Sequence, residues 1–216
     1  QNIPVRTPMG REMRKMFVAS TPDHVLVDAD YSQIELRVLA HMAAEPTMTA
    51  AFNSGDDIHA ITASQVFDVP LEEVTPQMRR DAKAVNFGIV YGISGFSLSK
   101  DIGTSVAEAS RYIKNYLMNY PSIDRYLDEV VENAKANGYT TTVHGRRRYI
   151  PELTASKKML IAFGERVAMN SPIQGSSADI MKRAMIAVDR RLKDEAPTAR
   201  LVMQVHDELI VEADER

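Results

Sequence analysis

Cysteine is absent from the 216 residues. That excludes disulfides and any thiolate-ligated metal centre, and it fits an intracellular, cytoplasmic setting. No apolar run reaches transmembrane length and the start carries no signal-peptide pattern, so no membrane partner is expected. A basic excess is also missing: 26 Lys and Arg stand against 29 Asp and Glu, for a formal charge of -3. A positive field over the whole molecule is therefore excluded, and any polyanion has to be held by local patches. The five histidines show no clustering at ligand spacing, which argues against a histidine-rich metal phosphohydrolase. Internal repeats and low-complexity segments are absent. Gln1 is not an initiator methionine, and Arg216 closes a charged stretch that suggests the start of another helix. The expectation is a piece of a longer chain, long enough for one domain with a large insertion.

What is present is strand pattern at the two ends and helix pattern between them. Residues 25–30 (VLVDAD) read as a buried strand, apolar and β-branched with an acidic end. Ser32-Gln33-Ile34-Glu35 matches a capping box opening a helix to about 44. Asp57 can cap a second helix to Phe67, and Thr75-Pro76 is an N-cap and N1 pair for a third. Ser105 with Glu108 is another capping box, its helix stopping before Pro121. A further helix stops at Asn137-Gly138. A small hairpin over 139–143 and 147–150 turns at His144-Gly145. Helix returns over 156–170, is expected to break at Ser171-Pro172, and resumes to about 193. Strands at 200–205 and 209–212 are joined at His206-Asp207-Glu208. This order predicts an α+β fold: a small antiparallel sheet carrying a mostly helical insertion.

Within MRRDAKAVNFGIVYG (78–92), Arg79, Lys83, Phe87 and Tyr91 fall four apart. On a helix they form one slowly turning stripe about 18 Å long. Its cations lie at the positive end of the helix dipole and its rings at the other. That order suits a ligand with a polyphosphate tail and a flat ring. Buried rings and solvated cations would give the same letters, so the stripe alone leaves both readings open.

Carboxylates gather in two places, Asp28 and Asp30 at a strand end and Asp207-Glu208 at a hairpin tip. Two hairpins side by side would bring Asp30 and Asp207 together. Such groups are costly to bury unless they are paired or bound to a cation. Oxygen-only ligands favour Mg²⁺ or Mn²⁺, and two ions about 4 Å apart can clamp the attacking and leaving oxygens of a phosphoryl transfer. Turn chemistry explains Asp207 equally well on its own.

DYSQIELRVLAH (30–41), RRDAKAVNFGIVYG (79–92) and QVHDEL (204–209) together resemble motifs A, B and C of family A DNA polymerases of the bacterial polymerase I type. The likeness runs from QNIPVR at Gln1 to HDELIVEA. It implies a palm and fingers fragment of a right-hand polymerase fold, with 1–44 and 166–216 as palm, 45–165 as fingers, and 76–91 as the moving nucleotide-binding helix. By position, the resemblance makes Asp30 and Asp207 the catalytic metal ligands, with the Tyr31 carbonyl beside them and Glu208 accessory. Two Mg²⁺ ions are implied, with Mn²⁺ able to replace them. Arg79, Lys83 and His59 would meet the triphosphate, with Lys83 the proton donor to pyrophosphate. Phe87 would pack on sugar and base, and Gln33 would also contact the nucleotide. Tyr91 and Glu35 would form the steric gate beside the sugar 2′ carbon. Arg166, Asn170 and Gln174 would follow the primer–template minor groove, with His206 near the primer end.

The implied activity is template-directed DNA synthesis in replication or repair, on primer–template DNA and deoxynucleoside triphosphates, by a monomer. Arg146-Arg147-Arg148 reads equally as a template-phosphate contact and as a solvated hairpin tip. Neither thumb, proofreading exonuclease nor 5′ nuclease is recognisable, so the isolated piece is expected to bind DNA poorly and to need its missing parts for activity. Three other readings stand beside this one. A non-catalytic nucleotide- or nucleic-acid-binding fragment would bind without turnover. A phage-type single-subunit RNA polymerase is opposed by Glu35 at the gate, and a metal-dependent nuclease leaves the Arg79–Tyr91 stripe without a role.

Overall fold

A computed structural model describes residues 7–215. The opening QNIPVR and the readings made at Gln1 and Arg216 lie outside the described residues. In chain order the elements are α1 (Pro8–Arg14), β1 (His24–Asp30), α2 (Ile34–Met42), α3 (Pro46–Ser54), α4 (Ile58–Phe67), α5 (Pro76–Val90), α6 (Gly95–Ile102), α7 (Val106–Asn119), α8 (Pro121–Asn137), β2 (Tyr139–Thr141), β3 (Arg147–Tyr149), α9 (Lys158–Glu195), β4 (Arg200–Val205) and β5 (Glu208–Asp214). The α+β class is as expected. Two compact units divide the chain after Ile34 and before Ala178.

The smaller unit holds an antiparallel sheet of order β1-β5-β4. β4 and β5 form a hairpin whose two-residue turn, His206-Asp207, opens with His206 in the left-handed region at φ 52°. β1 pairs directly with β5 and sets Asp30 opposite Glu208. One strand beside one hairpin, rather than two hairpins, thus brings the acidic ends together. Glu212 is buried on β5. It accepts from the Ser20 backbone N–H and, at 2.7 Å, from the Arg200 guanidinium. The expected burial of β1 is not met: Val25, Leu26 and Val27 are 37%, 40% and 47% exposed. β1 is an edge strand, and Leu26 joins Phe17, Val18, Val202 and Met203 along an open apolar hollow.

In the larger unit, helix starts follow the local chemistry of their caps. The Asp57 carboxylate accepts from the N–H groups of His59 and Ala60 and opens α4; Thr75 accepts from Met78 and opens α5; Ser105 accepts from Glu108 and opens α7. α8 ends on Gly138 at φ 76°. α2 starts later than its capping box suggests. Gln33 sits at φ 55°, which no helical residue adopts, so the first turn opens at Ile34. Helices α3 and α6 were not anticipated. Both begin at cap signals that were present, Glu45 before Pro46 and Ser94 before Gly95. The α4, α5 and α7 helices pack around Ile58, Ala63, Val66, Ala82, Val85, Ile89 and Tyr116. A second cluster under β2 and β3 joins Ala134, Ile150, Leu153 and Ala168.

The break expected at Ser171-Pro172 does not occur, and α9 runs unbroken with Pro172 inside it. An interior proline costs roughly 3 kcal/mol and leaves the carbonyl four residues back without its N–H. Here Ser171, Pro172, Ile173, Ser176 and Ser177 are all buried, so packing offsets the local penalty. Serine hydroxyls add bonds along the same turns. Ser171 donates to the Val167 carbonyl at 2.6 Å, and Ser177 donates to that of Ile173 at 3.1 Å.

Candidate active site

The acidic end of the smaller unit is built by register. Pairing of β1 with β5 carries Asp30 to Glu208, and the Tyr31 N–H donates to the Asp207 carbonyl at 3.1 Å. Four carboxylates therefore share one sheet end. Burial, the Asp207 charge and the Asp28 charge raise Asp30 above the usual carboxylate range. Glu208 is raised by burial and by Asp28, Asp30 and Asp207, with Arg14 pulling the other way. Such mutual repulsion is what a bound cation relieves, and the donors are all oxygen, as a hard divalent ion requires. Among the described residues no three His, Asp or Glu side chains form a ready-made cage. The fit accordingly rests on the Asp30 and Asp207 carboxylates, whose charges act on one another. His206, with its carbonyl accepting from Gln204 Nε2 at 3.0 Å, is exposed at the turn. Gln33, half-buried, follows β1 in its left-handed conformation.

In the larger unit the α5 stripe forms as read. Arg79, Lys83 and Tyr91 are exposed and Phe87 is half-buried, so the stripe is a surface and not a core face. Lys83 Nζ lies 5.8 Å from the Phe87 ring centre. Tyr91 caps the C-terminal end of α5, and its hydroxyl donates to Glu35 at 3.1 Å. That bond pairs the two residues named for the sugar gate. At Gly88 a Cβ would meet the Ile93 side chain at 2.6 Å, so the glycine lets the chain fold back under α5.

Two pairings on this face are not readable from the sequence, which offers Asp57 only as a helix cap. Arg79 Nε donates to Asp57 Oδ2 at 2.6 Å, while Oδ1 of the same carboxylate caps α4. Burial would raise Asp57, but the Arg79 bond, the Ala60 N–H, the Arg79 charge and the His59 N–H outweigh it and hold the carboxyl below its ordinary range. Asn86, fully buried on α5, donates from Nδ2 to His59 Nδ1 at 3.1 Å. His59 is itself buried, with its ring 6.1 Å from that of Phe87. Burial, then Lys83 and Arg79, lower it to about 4 against a weaker pull from Asp57, so the ring is neutral at pH 7. Asp57 and Asn86 each carry a signal of their own: an acidic cap two residues before His59, and an amide inside an apolar helical run.

The third group lies on α9. Arg166 and Gln174 are exposed and Asn170 is half-buried, spaced four apart along one face. Asn170 Nδ2 donates to the Val90 carbonyl at 3.4 Å and so helps close the last turn of α5. Arg166 packs beside Gly92, which adopts φ 63° and where a Cβ would stand 3.2 Å from Arg166 Cγ. The arginines of the β2–β3 hairpin are exposed, with Arg147 lying 4.6 Å over the Tyr139 ring.

Comparison with known proteins bears on both units. The family model described as DNA polymerase family A matches residues 1–216. DNA polymerase I of Bacillus subtilis is 52% identical over 213 residues, covering 99% of this chain and 24% of that protein. DNA polymerase I of Rhizobium leguminosarum is 50% identical over 218 residues, covering 100% of this chain and 21% of that protein. A solved structure of the POL domain of Pol1 from M. smegmatis, in complex with DNA primer-template and dNTP, matches with a TM-score of 0.92 and 45% identity, over 99% of this chain and 38% of that one. The chain thus spans about a quarter of the length of the curated relatives it matches. On the match over its whole length, this chain belongs to DNA polymerase family A.

Proposed function

We propose that the chain carries the nucleotidyl-transfer residues of a DNA-directed DNA polymerase. In this reading it adds deoxynucleotides to a primer 3′ end on a DNA template. The observation that carries it is the crowding of Asp30, Asp207 and Glu208 at one sheet end, where the Asp207 charge helps raise both Asp30 and Glu208. The smaller unit supplies that end, and 1–44 with 166–216 are read as palm. The larger unit supplies α5, and 45–165 are read as fingers. The protein is read as a cytoplasmic monomer.

Asp30, Asp207 and the Tyr31 carbonyl would hold two divalent ions, Mg²⁺ or Mn²⁺, whose charge would be available to offset that of the α-phosphate and to favour loss of the primer hydroxyl proton. Glu208 stands by as an accessory carboxylate. Arg79, Lys83 and His59 bind the triphosphate, using the positive end of α5 as well as their own donors. The primer 3′ hydroxyl gives its proton to solvent water as its oxygen forms a bond to the α-phosphorus and the bond from that phosphorus to the α,β-bridging oxygen breaks, and Lys83 Nζ gives the leaving pyrophosphate its proton. Phe87 and Gln33 position the nucleoside. Tyr91, held by Glu35, fills the space a 2′-hydroxyl would need. Arg166, Asn170, Gln174 and His206 meet the primer–template. Base pairing selects the incoming nucleotide, so the protein needs shape contacts and no base-reading code.

The test is Asp207→Asn in the full-length parent enzyme, read by primer extension and by triphosphate binding. Extension should all but vanish while triphosphate binding persists. Unchanged extension would overturn the reading in favour of a binding module, and primer loss without added nucleotide would point to a nuclease.

A further inference from the structure

Behind α5 runs a buried polar chain that the stripe alone does not explain. Tyr120, Thr62, Asn86 and His59 are all enclosed in the larger unit. The hydroxyls of Tyr120 and Thr62 lie 3.4 Å apart, Thr62 Oγ1 donates to Asn86 Oδ1 at 3.3 Å, and Asn86 Nδ2 donates to His59 Nδ1 at 3.1 Å. An amide has two unlike ends, and an NH₂ group can only donate. With its oxygen end committed to Thr62, Asn86 turns its NH₂ toward the imidazole. Nδ1 must then hold a lone pair, and the single proton of the neutral ring resides on Nε2.

We infer that Asn86 is a positioning residue that fixes His59 as the Nε2–H tautomer, making a neutral imidazole a hydrogen-bond donor to a phosphate oxygen drawn to Arg79 and Lys83. The inference rests on the triphosphate-binding reading of α5. Nε2 makes no hydrogen bond among the described residues, and it is not among their enclosed side-chain atoms that lack a partner. Two cations stand close enough to disfavour a third charge on the ring, so His59 stays neutral beside them. An Nε2 lone pair there would repel the same anion the cations attract. An Nε2–H completes the donor set without adding charge. The relay also explains a polar residue at a wholly enclosed helix position, where Asn86 shares α5 with the cations it serves. Placed on that helix, it keeps the His59 donor in register with Arg79 and Lys83.

The tautomer is read directly from ¹⁵N–¹H correlation spectra of the ¹⁵N-histidine-labelled 216-residue chain at pH 7, with His59→Gln identifying the signal. The expected result is an unprotonated shift at Nδ1 and a protonated shift at Nε2. In Asn86→Asp a carboxylate faces the ring, which only accepts, so the pattern should reverse. Inorganic tripolyphosphate titrated onto the chain should bind about tenfold more weakly to Asn86→Ala than to the wild type, the loss of one charge-assisted hydrogen bond. A wild-type Nδ1–H pattern overturns the inference, as does tripolyphosphate binding unchanged by Asn86→Ala. The wild-type spectrum decides even where a variant fails to fold. An Nε2–H pattern in a chain that does not bind tripolyphosphate overturns instead the triphosphate-binding reading and the donor role that depends on it, leaving the tautomer assignment in place.

Discussion

Acidification from pH 7 to pH 5 should cost this protein about 2 kcal/mol through His59 alone. The ring is 2% exposed, and burial with Lys83 and Arg79 holds its pKa at about 4, against 6.5 for an unperturbed imidazole. Between those values the unfolded chain takes up a proton that the folded chain refuses, so stability must fall as the pH falls. The contribution is whole above pH 6.5, erodes as pH drops toward 4, and is constant below that. Each pH unit inside the window is worth about 1.4 kcal/mol, and allowing for the shoulder near 6.5 the two units from 7 to 5 amount to about 2 kcal/mol. Urea unfolding followed by far-UV ellipticity, on the wild type and on His59→Gln, separates this from other titrations. The stability advantage of the wild type should shrink by that amount between the two pH values. An advantage that stays constant would show that His59 titrates alike in both states, and the buried, cation-flanked account of the ring would be wrong.

Four other outcomes are open to measurement. Gly92→Ala should lower stability by about 1–2 kcal/mol in thermal unfolding, because φ 63° strains an L-residue and its Cβ would crowd Arg166 and Met169. Glu45→Ala should cost about 2 kcal/mol in the same assay. The enclosed Glu45 carboxylate accepts from Thr47 and Ser122, each at 3.2 Å, and its loss strands both N–H groups. Glu212, drawn down to about 2 by its bonds to Ser20 and Arg200, should give the wild type an advantage over Glu212→Gln that is complete above pH 4.5 and gone by about 2; an advantage that persisted at pH 2 would refute the pairing. Glu35→Ala in the parent enzyme should admit ribonucleotides by freeing Tyr91, and unchanged sugar discrimination in extension assays would remove the gate.

Features written within a few residues of chain were legible in the sequence. Asp57, Thr75 and Ser105 announce helix starts because the bonds they make reach only two or three residues onward. The α5 stripe was legible because helical period alone sets its face. Pro172 was misleading, since a local penalty says nothing of the burial that offsets it. The exposure of Val25, Leu26 and Val27 was hidden for a related reason: an apolar strand does not declare which of its faces is covered. The Asp57–Arg79 and His59–Asn86 partnerships span 22 and 27 residues. Only the packing of α4 against α5 closes those distances, and nothing in either segment states which partner it will meet. The neighbourhood of Asp30 and Asp207 was expected, but the register that sets Asp30 against Glu208 had to be seen.

The 2.6 Å contact between Arg79 and Asp57 has a bearing on ligand affinity. Because its guanidinium already rests on a carboxylate, an arriving polyanion exchanges one counter-charge for another instead of claiming an idle one. The net gain at that residue is a difference between two attractions, both weakened by salt. Tripolyphosphate binding should therefore respond to ionic strength less steeply than the number of cations along α5 would suggest.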